Sequence, residues 1–228
     1  MCGRFALSSP TEMIRKHFNL SEEILLAPRY NIAPGQMINV IRVNVTGEME
    51  LIPMLWGLIP FWAKDRKIGY KLINARAETL EEKPSFKKSF SKYRCLIPAD
   101  GFYEWKKLEG QKRKQPYFFQ MKGGEPLGFA GLWSIWTDKE EGAFIESCTI
   151  ITTEPNAMVA GIHDRMPVIV PPGRYSDWLN LQSSSGRLKE LLTPCDPALL
   201  TCYPVSDLCN SVQNDSPDCV RNKSGSSC

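Results

Sequence analysis

Apolar positions along the chain predict many short strands and a few short helices. Runs rich in β-branched and aromatic residues, bounded by Gly, Pro, Asn or Asp, predict strands at 37–45, 48–56, 94–98, 102–105, 117–121, 128–133, 144–152, 168–170 and 199–205. Apolar residues at helical spacing predict helices at 10–18, 85–91, 156–160, 172–179 and 185–192. Because strands and helices do not alternate regularly, the pattern predicts an α+β fold, with a mixed, mostly antiparallel β core surrounded by short helices.

Local signals refine three other segments. Ser9–Glu12 has the pattern of a capping box, with Pro10 at the first helical position. The segment 28–36 is punctuated by Pro and Gly and predicts a structured loop. Residues 216–228 are polar and lack aromatic side chains, which predicts a disordered tail rich in Cys and Ser behind a single domain at 1–215.

Composition narrows the class of protein. The chain has 228 residues, 43% apolar and 23% charged, as in one globular domain, and its net charge of +3 permits an anionic partner without requiring one. We expect no signal peptide, no membrane span and reduced thiols inside a cell. Although there are eight cysteines, their spacing matches no zinc pattern and only two histidines occur, so we expect no metal or cofactor.

The second residue is the first candidate for chemistry. Met1 is normally removed ahead of a small residue such as Cys2, which would then carry a free α-amine beside a thiol. An α-amine holds roughly several hundred times more free base at pH 7 than a lysine does. Such an aminothiol captures an aldehyde, first as a Schiff base and then as a thiazolidine. The alternative is that Cys2 has no chemical role.

Other chemistry-bearing residues are spread along the chain. Glu104 lies in an aromatic strand, where burial would raise its pKa, and His163 lies in a loop beside Asp164. Cys and His together suggest acyl transfer or aldehyde capture. Each residue also has a structural alternative: His163 could be a core histidine satisfied by Asp164, and the aromatic segment 56–62 could be a core plug or a platform for bases. Spacing alone does not bring these residues together.

Six sequence blocks in this order resemble the SRAP family (SOS response-associated peptidase, the abasic-site shielding proteins). The resemblance runs from Cys2 to about Asp215, and the cysteine-rich end is not part of the family pattern. The blocks are Met1–Phe5, Arg29–Pro34, Trp56–Trp62, Asn74–Thr79, Cys95–Trp105 and His163–Pro167. The resemblance implies an α+β fold with a barrel-like β core.

The resemblance also implies a reaction and its catalytic residues. Processed Cys2 would capture the ring-opened aldehyde of an abasic site in single-stranded DNA as a thiazolidine crosslink that shields the lesion. Asn74 would hold the Cys2 end and the opened sugar by hydrogen bonds. Glu104 would move protons during ring opening and Schiff-base formation. His163 would act as general acid and base on the sugar oxygen and in crosslink reversal.

The DNA-binding residues implied by the resemblance form a second group. Arg4, Arg76 and Arg165 would contact phosphates around the lesion, and Trp62 and Tyr70 would stack on bases. From the residues alone, Arg76 could equally be a solvated surface charge.

Two other functions remain open at this level. One is a cysteine peptidase of the N-terminal-nucleophile kind, which includes self-removal of Met1. The other is a non-covalent single-strand binding module, whose affinity would survive loss of Cys2. Whichever function holds, we expect a monomer without a membrane partner, cytoplasmic and nucleoid-associated in a bacterium or nuclear in a eukaryote.

Overall fold

A computed structural model describes residues 2–21, 24–110, 112–138 and 142–223. The strands within these ranges are β1 (Phe5–Leu7), β2 (Arg29–Ile32), β3 (Met37–Val43), β4 (Met49–Trp56), β5 (Asn74–Arg76), β6 (Arg94–Ala99), β7 (Gly101–Lys106), β8 (Gln115–Met121), β9 (Leu127–Thr137), β10 (Phe144–Thr153), β11 (Met166–Pro167), β12 (Ile169–Val170) and β13 (Leu200–Pro204). The α-helices are α1 (Thr11–Phe18), α2 (Pro84–Lys92), α3 (Ala157–Ala160), α4 (Tyr175–Leu179) and α5 (Ser185–Glu190). Short 3₁₀ helices cover Arg66–Lys71, Ala77–Thr79, Pro172–Arg174, Pro197–Leu199, Asp207–Asn210 and Pro217–Cys219.

The strands form two sheets, and the larger one closes on itself. One sheet has five strands in the order β13-β8-β7-β1-β2. The other runs β11-β10-β4-β3-β6-β9-β12, and a further pairing of β10 with β9 closes β10, β4, β3, β6 and β9 into a five-stranded ring. Only the pairs that β10 makes with β4 and β5 are parallel among the described strands. The predicted α+β class, with a mostly antiparallel, barrel-like core, is therefore confirmed.

Aromatic residues pack the five-stranded sheet onto this barrel. Phe5 of β1 lies 5.2 Å from Trp56 and 6.0 Å from Phe129, measured between ring centroids. Phe102 of β7 stacks on Phe119 and also contacts Phe129 edge-on. Because β1 and β7 are adjacent, with Phe5 opposite Phe102, this contact holds the first residues of the chain against the barrel.

Several predicted elements are confirmed. The segments 37–45 and 48–56 form the hairpin β3–β4, in register from Met37 with Leu55 to Val43 with Met49. The segment 85–91 forms α2, which buries Phe86 and Phe90 on one face, as their spacing of four residues requires.

Two local predictions are wrong. Helix α1 forms, but no side-chain cap bonds its first turn, because the backbone N–H groups of Ser8 and Ser9 donate to Asp100 Oδ2 instead. Arg29–Ile32, predicted as loop, is strand β2, which pairs with β1.

The end of the chain is ordered as far as the structure describes it. Where we predicted a disordered tail from residue 216, Pro217–Cys219 form a 3₁₀ helix and Cys219 is fully buried. Asp215 accepts hydrogen bonds from the backbone N–H groups of Tyr30 and Asn31, which ties this segment to β2. Residues 224–228 of the predicted tail lie outside the described residues. No helix among the described residues is both long and apolar enough to cross a membrane.

Candidate functional site

The candidate site lies where the start of the chain meets the barrel. Cys2 precedes β1 and is fully buried. The antiparallel register places Arg4 beside Tyr103, and Tyr103 N donates a hydrogen bond to Arg4 O. Because the two strands run in opposite directions, Glu104, which follows Tyr103 in β7, lies toward the Cys2 end of β1. Burial raises the pKa of the Cys2 thiol, and the charge of Glu104 raises it further. Cys2 and Glu104 therefore lie within electrostatic reach of each other, with the sulfur held as a neutral thiol.

Glu104 is a buried carboxyl group with a strongly altered affinity for protons. It is 2% exposed, and desolvation raises its pKa to about 8. Along β7 it lies on the same face as Phe102, which packs against the barrel. A carboxyl group with this pKa is mostly protonated at pH 7 and can donate a proton, as predicted from its aromatic surroundings.

His163 faces Glu104 from the other side of the site. Its Nε2 atom lies 3.7 Å from Glu104 Oε2, too far for a hydrogen bond but close enough for electrostatic coupling. His163 Nδ1 lies 3.0 Å from Arg165 N, 3.3 Å from Arg165 O and 3.0 Å from Asp164 Oδ1, so these groups hold the ring with Nε2 directed toward Glu104. Desolvation lowers the pKa of His163 and outweighs the nearby Asp164 carboxylate, which acts in the opposite direction.

Asn74, on the strand that pairs with β10 of the barrel, carries a buried hydrogen-bond acceptor. It lies on β5 opposite Ile150 of β10, and its side-chain amide donates to Ile73 O at 3.0 Å. Its Oδ1 atom is buried and receives no hydrogen bond from the described residues. A buried acceptor without a donor costs about 1–3 kcal/mol, so a hydroxyl or amine placed here by a ligand would be stabilised.

Arg4 lies on the opposite face from the catalytic candidates. Side chains alternate along a strand, so Phe5 packs on the barrel while Arg4 points away from it. Arg4 Nη1 donates to Asn31 Oδ1 at 2.7 Å and to Cys209 O at 2.5 Å. The guanidinium also lies over the Trp105 ring, 5.9 Å from its centroid. In this position Arg4 anchors β1 to the C-terminal segment, and the phosphate contact of Arg4 stays a prediction.

Arg165 lies beside His163 and is held by a carboxylate. Its Nη1 and Nη2 atoms donate to the two oxygens of Glu78 at 2.7 and 2.9 Å, and Nη2 also donates to Thr152 O. Glu78 follows the strand of Asn74 and Arg76, so this ion pair joins two of the six sequence blocks.

The other predicted DNA-binding residues lie on an exposed, basic surface. Trp62, Tyr70 and Arg76 are all exposed, the two aromatic side chains by 46% and 74%. Nine exposed cations and four exposed anions occur between residues 62 and 92; the cations are Lys64, Arg66, Lys67, Lys71, Arg76, Lys83, Lys87, Lys88 and Lys92. Lys88 Nζ lies over the ring of Phe61, 3.9 Å from its centroid. Alternating aromatic and basic side chains are typical of surfaces that bind single-stranded nucleic acid.

A cleft of about 370 Å³ adjoins Tyr70 and has Arg66 and Lys67 in its wall. Gly57 also lies in the wall of this cleft, and its φ of +137° favours glycine. A Cβ atom added at this position would lie only 2.8 Å from Gly69 O. The aromatic segment is therefore both core and surface: Trp56 is fully buried, whereas Phe61 and Trp62 are exposed.

Two residues of the resemblance blocks had no predicted role and prove central. Asn31 is 1% exposed, and its amide donates to Ser211 O and Asn214 O while its oxygen binds Arg4. Glu78 holds Arg165. Both act through partners far along the chain, so no local spacing could have revealed them.

Comparison with known proteins identifies relatives of the whole chain. A family model described as SOS response associated peptidase (SRAP) matches residues 1–212. The abasic site processing protein YoqW of Bacillus subtilis (strain 168) is 47% identical over 96% of this chain and 99% of its own. The abasic site processing protein YedK of Escherichia coli (strain K12) is 32% identical over 97% of this chain and 99% of its own.

A solved structure supports the same relationship. The crystal structure of a protein from Bacteroides thetaiotaomicron aligns with a TM-score of 0.86 at 27% identity, covering 97% of this chain and 99% of that one. The chain therefore belongs to the SOS response associated peptidase (SRAP) family.

Proposed function

We propose that this protein processes abasic sites by joining Cys2 covalently to the ring-opened sugar in single-stranded DNA. The observation that carries the proposal is that buried Cys2 lies near buried Glu104, which partly buried His163 faces at 3.7 Å. The relatives YoqW and YedK, which match nearly the whole chain, are named abasic site processing proteins. The chemistry of an N-terminal aminothiol suits an aldehyde better than it suits intact DNA.

The first step forms a Schiff base. Removal of Met1 frees the α-amine of Cys2. The amine adds to C1′ of the open-chain sugar to give a carbinolamine, and loss of one water gives the imine. Glu104, protonated at pH 7, donates the proton that lets the hydroxyl leave as water, and it takes a proton back from the nitrogen.

The second step closes the ring. The Cys2 sulfur adds to the imine carbon, the C=N π electrons pass to nitrogen, and the thiol proton ends on that nitrogen. The product is a thiazolidine, formed without oxidant or reductant. Because burial keeps Cys2 as a thiol, the proton must be moved as the S–C bond forms, and Glu104, protonated again after the first step, can pass its own proton to the nitrogen as it accepts the thiol proton.

His163 and Asn74 act on the sugar. Neutral His163 faces Glu104 through Nε2, so it can take the proton of the sugar C1′ hydroxyl and return it to the ring oxygen as the ring opens. The orphaned Asn74 Oδ1 accepts a hydrogen bond from a sugar hydroxyl or from the Cys2 amine. Reversal of the crosslink uses the same groups in the opposite direction.

The basic surface positions the strand. Trp62 and Tyr70 stack on bases, while Arg76 and neighbouring lysines contact phosphates. Arg165 is largely buried, and its charge is paired with that of Glu78.

A crosslinking assay tests the proposal. Wild-type protein should form a denaturation-resistant adduct with a single-stranded oligonucleotide that contains an abasic site, and none with the intact oligonucleotide. Cys2→Ala should abolish the stable adduct. Cys195→Ser is the matched control, because Cys195 is a partly exposed free thiol outside the site and its loss should change nothing. An adduct of equal yield and stability in Cys2→Ala would overturn the proposal.

The family description favours a second candidate, a peptidase with Cys2 as its nucleophile. Two observations weigh against attack on an external peptide: Cys2 is fully buried, and its thiol pKa is raised, so little thiolate is available. Self-removal of Met1 remains compatible with this site. If Met1 is lost in wild type but kept in Glu104→Gln or His163→Ala, the protein processes itself.

A further inference from the structure

Two ionic hydrogen bonds tie the segment that carries Asn74 to the loop that carries His163. Arg165 Nη1 and Nη2 donate to the two carboxylate oxygens of Glu78 at 2.7 and 2.9 Å. Nη2 also donates to Thr152 O at 2.7 Å. Because the Arg165 side chain is only 13% exposed, these partners determine where it lies.

The backbone of the same arginine orients the histidine. Arg165 N and Arg165 O lie 3.0 and 3.3 Å from His163 Nδ1, which leaves Nε2 directed toward Glu104. The group that anchors the Arg165 side chain therefore also holds the loop that orients His163. The charged or titratable groups around His163 are Glu104, Asp164, Arg165, Lys114 and, behind Arg165, Glu78.

We infer that Glu78 is a positioning residue for His163. Its carboxylate holds Arg165, Arg165 holds the loop, and the loop directs Nε2 of His163 toward Glu104. The reaction that this arrangement serves rests on the proposed function, whereas the orientation of His163 does not.

Neutralising Glu78 should release the loop. An amide at this position offers one acceptor and no charge, so it cannot make both bonds to the guanidinium. Arg165 Nε already has no partner among the described residues, and a largely buried cation without its counter-charge is strongly unfavourable. The side chain then moves toward solvent and draws the Arg165 N–H away from His163.

Imidazole NMR of the whole protein tests this inference without DNA. The chain has only two histidines, and His17, which contacts the Tyr175 hydroxyl, serves as an internal reference. Wild-type His163 should show one set of imidazole ¹H and ¹⁵N signals. Glu78→Gln should shift those signals and the titration of His163 with no change at His17, and Glu78→Asp should restore part of the wild-type signal.

The control is Glu81→Gln, which removes another paired carboxylate three residues further on, bonded to Lys189 and Ser185. It should leave both histidine signals and the crosslinking rate unchanged. Glu78→Gln should slow crosslinking by about tenfold, since a misplacement of about 1 Å costs up to ~100-fold. Because Glu78 is half exposed, we expect Glu78→Gln to fold, and thermal melting of Glu78→Gln and Glu81→Gln should show that both are folded.

Unchanged His163 signals in Glu78→Gln would overturn the inference. Tighter DNA binding with those signals unchanged would also overturn it, since Glu78 would then merely compete with phosphate for Arg165. If wild-type protein forms no crosslink at all, the proposed function fails, and the imidazole signals of His163 still decide the role of Glu78.

Discussion

Glu104→Gln should change how the stability of the fold depends on pH. Desolvation raises the pKa of Glu104 from about 4.5 to about 8 in the folded chain. Glutamine has nearly the same shape and cannot ionise, so it removes the titration while it keeps most of the packing. The comparison of the two proteins therefore isolates one buried carboxyl group.

The direction follows from proton binding. Between the unfolded pKa near 4.5 and the folded pKa near 8, the folded state keeps the Glu104 proton and the unfolded state loses it. The stability contributed by this group is thus complete below the lower value and is lost as the pH rises through the upper one. The free energy of unfolding falls by about 1.4 kcal/mol per pH unit between the two pKa values, which amounts to about 5 kcal/mol in total.

Urea denaturation of both proteins between about pH 5 and about pH 8 measures this effect. The free energy of unfolding of wild type should fall relative to that of Glu104→Gln across the range. The control Glu81→Gln concerns an exposed carboxylate and should run parallel to wild type. Parallel curves for wild type and Glu104→Gln would show that Glu104 ionises near its ordinary pKa, and the proton transfers assigned to it would lose their basis.

Three further predictions concern positions outside this group. Asn31→Ala should lower the free energy of unfolding by about 2–4 kcal/mol in urea denaturation, because it leaves Ser211 O, Asn214 O and Arg4 without their shared partner; a loss below ~0.5 kcal/mol would contradict the anchoring role. Gly57→Ala should destabilise by about 2 kcal/mol or more, because the methyl group meets Gly69 O at a positive φ, and a melting temperature equal to that of wild type would refute this. Trp62→Ala should weaken binding of single-stranded DNA by roughly 5- to 100-fold in fluorescence titration, while Phe144→Ala, which removes another exposed aromatic, should not; equal effects would exclude specific stacking.

Local elements were predictable where side-chain pattern decides structure. The hairpin at 37–56 follows from β-branched runs around a Gly turn, and α2 follows from Phe86 and Phe90 at a spacing of four. The capping box failed because Asp100, about 90 residues away, provides the acceptor for Ser8 and Ser9. Likewise, β2 is a strand because β1 and Asp215 supply its hydrogen bonds, and neither is visible in its own residues.

The site was predictable in chemistry and only partly in geometry. Aromatic neighbours in the strand indicated the raised pKa of Glu104, and the structure gives the same direction. The position of Arg4 depends on the alternation of side chains in β1 and on Asn31 and Cys209, which lie far from it along the chain. The pairing of Glu78 with Arg165 joins residues 87 positions apart, a relation that one sequence cannot reveal.

Intact-mass spectrometry after incubation with an abasic oligonucleotide tests whether the nitrogen and sulfur of Cys2 both bond to the sugar. We expect a protein without Met1 and an adduct of one protein and one oligonucleotide less one water, with a mass that borohydride does not change. An imine would gain two hydrogens on reduction, whereas a thiazolidine would not. A protein that crosslinks with Met1 still attached, or an adduct whose mass borohydride raises, would contradict ring closure through the nitrogen and sulfur of Cys2.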